Sequence, residues 1–78
     1  MTKILSDIAN GSKVVVSEIS QSNLRVKLME MGVIEGRELT VLYRAPLGGP
    51  MAIDIDGYVL SLRKDEACLV DVELIHES

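Results

Sequence analysis

LRVKLMEMGVIEGRELTVLYRAPLGGP, residues 24–50, decides how the rest of the chain must be arranged. Its first part is helical by pattern: Leu24, Leu28 and Met31 recur at i, i+4 and i+7 and form one apolar stripe, with Arg25, Lys27 and Glu30 off it. Met29 lies at the side of that stripe. Gly32 suits the position just past the helix, where positive φ meets no Cβ clash and the amides of Gly32 and Val33 return to the carbonyls of Met29 and Leu28. Val33 then packs back on Leu28. Gly36 fits the third position of a type II turn over residues 34–37, which needs positive φ. Leu39, Val41 and Tyr43 then alternate with Thr40, Leu42 and Arg44, the pattern of a half-buried strand from Glu38 to Arg44 that leaves Leu42 as an apolar residue on the wrong face. Ala45-Pro46-Leu47-Gly48-Gly49-Pro50 must be a surface loop, because proline has no N–H to give a ladder and the glycines are costly to order.

On the N-terminal side, residues 4–8 form a short apolar segment that ends at the turn dipeptide Asn10-Gly11. The valine-rich run Lys13–Ile19 reads as the first strand, with its inward face left open by three consecutive valines. Ser20, Ser22 and Asn23 are competent helix caps, since a short side-chain oxygen can accept from the free N–H groups of a first turn. On the C-terminal side, Asp56-Gly57 between two apolar runs is the signature of a two-residue type I′ hairpin. That turn sets Ile55 opposite Tyr58, Ile53 opposite Leu60 and Met51 opposite Leu62, all on one face. Lys64–Ala67 is long enough for one helical turn. Cys68, Val70, Val72 and Leu74 then alternate with Leu69, Asp71, Glu73 and Ile75 as a final strand, with Cys68 as a small core residue.

These elements amount to five short strands and one short helix, the helix lying between the first and second strands. Short antiparallel strands bent by loops bearing Pro and Gly curl into a mainly β, small barrel. The 78 residues hold a single domain over residues 1–78 with a small core. Aliphatic residues must fill it, because there are two tyrosines and neither Phe nor Trp.

Composition narrows the function. A net charge of −4 argues against a phosphate-tracking surface, so no nucleic-acid partner is expected. One cysteine forms no internal disulfide, the N-terminus has no signal-peptide pattern, and no apolar run approaches the ~20 residues of a membrane span. A cytoplasmic protein with no direct membrane insertion is the expectation. No phosphate-binding glycine loop with its lysine occurs, and Cys68 and His76 stand at opposite ends of one strand, too far apart to serve as nucleophile and base. Catalytic residues and cofactors are therefore expected to be none. Asp71, Glu73 and His76 are the metal-ligand types with the best claim to weak Fe²⁺ binding, but no transition-metal spacing is present and a solvated acidic face is the plainer reading. Met29, Val33, Leu42, Pro46 and Leu47, set beside the turn glycines Gly32, Gly36 and Gly57, are the expected partner contacts.

Leu28-Met29-Glu30-Met31-Gly32-Val33, Gly36, the Ala45-to-Pro50 loop and Leu62-Arg63-Lys64-Asp65-Glu66-Ala67 resemble, in order and spacing, the hallmarks of the FeoA family. Leu5-Ser6-Asp7-Ile8 and Gly11 fit its usual start. The resemblance implies an SH3-like barrel and a cytoplasmic accessory role in ferrous iron uptake, in which the protein binds the membrane transporter FeoB, acts on its GTPase domain and is recruited to the inner face of the membrane. Two departures stand out: Glu35 replaces the family's proline before the turn glycine, and Lys27 precedes Leu28 where the family has arginine. A related domain ends iron-dependent repressors of the DtxR type, which makes a metal-binding or sensing module the alternative. Self-association through an exposed strand edge, giving a homodimer, is a third expectation.

Overall fold

The structure is a computed structural model that describes residues 2–75. Six strands form one antiparallel sheet: β1 (Lys3–Ile4), β2 (Lys13–Ile19), β3 (Glu38–Arg44), β4 (Met51–Ile55), β5 (Tyr58–Leu62) and β6 (Val70–Leu74), in the spatial order β1-β6-β2-β3-β4-β5. Helix α1 (Arg25–Glu30) lies between β2 and β3, and α2 (Lys64–Ala67) between β5 and β6. The expected five strands become six because Lys3 and Ile4 pair with Val72 and Asp71. Two residues are too few to leave a periodic signal. The helix accordingly sits between the second and third strands.

Two bulges curl the sheet. The register of β2 on β6 shifts between Val16 and Glu18, so Ser17 is an extra residue, and Val14, Val16 and Ile19 are all buried although Ile19 is out of step with the valines. This resolves the valine run. The register of β3 on β4 shifts in the same manner between Val41 and Tyr43, leaving Leu42 as the extra residue. A bulge adds local right-handed twist, and one in each long strand closes the wall around Leu5, Leu28, Leu39, Ile53, Leu62 and Val70, all at most 1% exposed.

The Leu42 bulge also reverses the alternation that follows it. Tyr43, expected to face inward, is 60% exposed, whereas Arg44 stands opposite buried Met51 and donates from its guanidinium to the carbonyls of Ser6 and Ile8. The hairpin follows its expected register, Ile55↔Tyr58, Ile53↔Leu60 and Met51↔Leu62, with φ of 50° at Asp56 and 91° at Gly57 as a type I′ turn requires. Of the six side chains, Tyr58 departs from the buried set: it is exposed and its hydroxyl donates to the Met31 carbonyl at 3.2 Å.

Helix α1 ends as its glycine dictates. The Gly32 and Val33 amides donate to the carbonyls of Met29 and Leu28 at 3.1 and 3.0 Å, with Gly32 at φ +100°. At its start, the Ser22 hydroxyl accepts from the Leu24 amide. The turn over residues 34–37 closes by a bond from the Arg37 amide to the Ile34 carbonyl, with Gly36 at φ +85°. Cys68 departs from expectation. It caps the C-terminal end of α2 rather than opening β6, and it is exposed, its thiol 3.3 Å from the Asp65 carbonyl. The one-turn helix consumes the residues that would have extended the strand.

Candidate functional site: the loop between β3 and β4

The loop over residues 45–50 is built to hold one side chain in solvent. The Ala45 amide donates to the Pro50 carbonyl at 2.8 Å and closes the base, and the Gly49 amide reaches the Pro46 carbonyl at 3.3 Å across the tip. The two tip residues, Leu47 and Gly48, have φ of 60° and 74°. For glycine this conformation is free, whereas a side chain in it costs on the order of 1 kcal/mol. Leu47 nevertheless occupies it and is fully exposed, at 104%. Strained, solvent-facing apolar residues concentrate where a surface has a task.

What surrounds the loop extends the site. Exposed Leu42 and Tyr43 lead into it at the bulge, and Pro46 is exposed beside Leu47. Behind it, Ser6, Asp7, Arg44, Gly48, Met51 and Lys64 line a shallow cavity of ≈ 260 Å³. Arg44 fastens the end of β3 to the segment of residues 6–8, so the loop rises from a braced base. Sequence reading missed Tyr43 because it assumed unbroken alternation.

The expected contacts divide. Leu42, Pro46 and Leu47 come together at the β3–β4 end, but Val33 is fully buried and is no surface residue: its return onto Leu28 after the Schellman turn places it in the core. Met29 is 43% exposed but belongs to the opposite end of the sheet. The end of α1 is tied to Tyr58 beside the β4–β5 turn, whereas the 45–50 loop enters β4 at Met51. Four residue steps of about 3.3 Å, or ~13 Å, separate those two ends of β4. The helix end and the loop do not form a single face.

Asp71 and Glu73 share the outward face of β6, between buried Val70 and Val72, and Glu18 of β2 stands directly opposite Asp71. His76 lies outside the described residues. Among the described residues, no three His, Cys, Asp or Glu side chains come close enough to hold a metal ion. No helix among them is long and apolar enough to cross a membrane.

The carboxylate that organises the neighbouring α2 is buried. Glu66 accepts the Arg63 amide at 2.9 Å through Oε1, while its Oε2 stands 3.0 Å from Lys27 Nζ of α1. The amide bond holds the Glu66 carboxyl below its ordinary range, burial works the other way, and Lys27 adds to the lowering. The departure at position 27 thus keeps a cation where the fold uses one.

The FeoA domain matches this chain over residues 3–74. The chain belongs to the FeoA family. It is 35% identical, over 91% of its length, to a protein of Porphyromonas gingivalis described as a fusion of Fe²⁺ transport protein A with the Fe²⁺ transporter FeoB, and it spans 8% of that relative's length. It superposes on the FeoA-like protein of Clostridium acetobutylicum with a TM-score of 0.90 at 40% identity, covering 99% of this chain and 91% of that one. It also superposes on the zinc-complexed FeoA of Stenotrophomonas maltophilia, described as a procaryotic SH3 domain protein, with a TM-score of 0.75 at 27% identity, covering 94% and 89% of the two chains. The SH3-like class expected from sequence is therefore that of its FeoA relatives, and the family is one of small accessory domains in ferrous iron transport rather than of catalysts.

Proposed function

We propose that this FeoA domain is a non-enzymatic regulator that docks on FeoB at the cytoplasmic face of the membrane through the tip of the 45–50 loop, and so modulates GTP hydrolysis and transport. The observation that carries the reading is Leu47: a fully exposed apolar side chain held in a left-handed conformation on a braced loop. Leu42, Tyr43 and Pro46 supply the apolar rim. The fused relative supports the choice of partner, since joining two domains in one chain fits domains that work in contact. Calorimetry of this chain against the cytoplasmic part of the cognate FeoB tests it. Binding should weaken at least tenfold with Leu47→Asp, about the loss of one buried leucine contact, and should be little changed by Met29→Asp at the far end of the sheet. Absence of binding, or indifference to Leu47→Asp, sinks the reading.

A second reading rests on the cross-strand carboxylates Glu18 and Asp71, with Glu73 on the same face and His76 beyond the described residues. It is weak Fe²⁺ binding without a preformed metal cage. Anaerobic titration with Fe²⁺ decides it: a dissociation constant weaker than millimolar reduces it to counterion attraction.

A further inference from the structure

The two edges of the sheet are unlike. One edge is β1, two exposed residues long and carrying Lys3, the kind of short charged edge that discourages pairing. The other is β5, Tyr-Val-Leu-Ser-Leu, five residues with no charge, no proline and no bulge in its pairing with β4. Charge, proline and bulge, three of the usual protections, are missing from it.

The type I′ turn fixes which backbone groups that edge presents. Ile55 and Tyr58 flank a two-residue turn and form a hydrogen-bonded pair, and hydrogen-bonded pairs alternate along an antiparallel ladder. Tyr58, Leu60 and Leu62 therefore direct their N–H and C=O groups at β4, whereas Val59 and Ser61 direct theirs away from the sheet. The outward amides on either side of this window are occupied: Gly57 donates to Asp54 Oδ1 and Arg63 to Glu66 Oε1, both at 2.9 Å. The open edge is two residues wide and centred on Leu60.

That window is complementary to itself. A two-fold axis through Leu60 sets Val59 opposite Ser61 of the second copy, in the hydrogen-bonded phase that their outward groups require, and Ser61 opposite Val59, for four backbone hydrogen bonds. The same axis brings Asp56 of the turn and Lys64, the first residue of α2, to each end of the window with opposite charges, Asp56 standing 3.5 Å from Arg37 of its own chain. Leu60, partly buried against the core, meets its own copy at the axis, and Val59, 59% exposed, is covered. We propose that two copies of this chain associate through β5, in antiparallel register about Leu60, into one continuous sheet of twelve strands from two sets of six. The 45–50 loop enters β4 at Met51, opposite Leu62, and so stands at one end of the paired edge.

Sedimentation equilibrium of the full chain from micromolar to millimolar concentration is the test, with two double variants. Val59→Lys with Ser61→Lys places like charges opposite one another across the axis and should weaken the dimer on the order of tenfold or more. Val59→Lys with Ser61→Glu introduces as many charged residues but sets each lysine opposite a glutamate, and should restore association. Both changes lie on the solvent face, and circular dichroism on each variant establishes that the barrel is intact. A monomer at every concentration, or a dimer equally strong in both variants, overturns the proposal. So does a monomeric chain whose FeoB binding is lost in the lysine pair, which would assign the edge to the transporter.

Discussion

Lys27 Nζ of α1 and Glu66 Oε2 of α2 lie 3.0 Å apart, and they join two helices that share no strand. The partners are not equal. Lys27 is 57% exposed in its side chain and Glu66 5%, so most of the cost of disruption falls on the carboxylate. Glu66→Ala leaves the Arg63 amide without its acceptor and should destabilise the fold by about 2 kcal/mol, whereas Lys27→Ala should cost under ~1 kcal/mol because solvent already screens the amine. Urea denaturation of the two variants measures the difference.

The same carboxylate gives a pH dependence of defined sign. Its folded-state pKa lies below the ordinary value of 4.5, so its contribution is complete above that value and is lost as pH falls through the folded pKa. The stability gap between the native chain and Glu66→Gln should be constant near neutrality and close progressively below pH 4.5. Urea midpoints of the pair at a series of acidic pH values check this. A gap that widens on acidification contradicts the assignment.

Gly32 and Gly36 share positive φ but differ in surroundings. A Cβ on Gly32 would lie 2.6 Å from the Tyr58 hydroxyl oxygen, and one on Gly36 would meet nothing within 4 Å. Gly36→Ala should cost about 1–2 kcal/mol from the backbone alone. Gly32→Ala should cost more, and adding Tyr58→Phe should recover part of the excess by removing the obstructing oxygen. Thermal or urea unfolding of the double-mutant cycle resolves the coupling.

Leu47 offers a test of stability against function. Asparagine tolerates the left-handed conformation better than leucine, so Leu47→Asn should leave the fold unchanged or stabilise it by up to ~1 kcal/mol. Its affinity for FeoB should nonetheless drop. A stabilised variant that binds less well is the signature of a residue kept for contact, and paired calorimetry and denaturation reveal it.

Local chemistry was the legible part of this fold. Asp56-Gly57 foretold the hairpin and its register, and Gly32 foretold the closing bonds of α1, because each depends on residues adjacent in sequence and on one conformational preference. The extra residues Ser17 and Leu42 were not legible. A bulge is decided by how a strand must bend to meet its neighbours, and no residue type encodes it. Cys68 and Val33 were misplaced for a related reason: each follows closely on a helix whose end determines which way it points. For the site, the loop was visible in its prolines and glycines, whereas the distance between Met29 and Leu47 depended on which end of β4 each approaches.

The bulge at Leu42 makes β3 a strand of two parities, one before it and the opposite one after. Pairing Leu42 in a regular ladder instead of bulging it would turn the remainder of the strand over, carrying Tyr43 toward the core and Arg44 away from the carbonyls of Ser6 and Ile8. The pairing of β3, as much as its composition, therefore determines which side chains this barrel offers beside its loop. Two FeoA domains of closely similar sequence, one bulged at this point and one regular, would present different surfaces beside the loop.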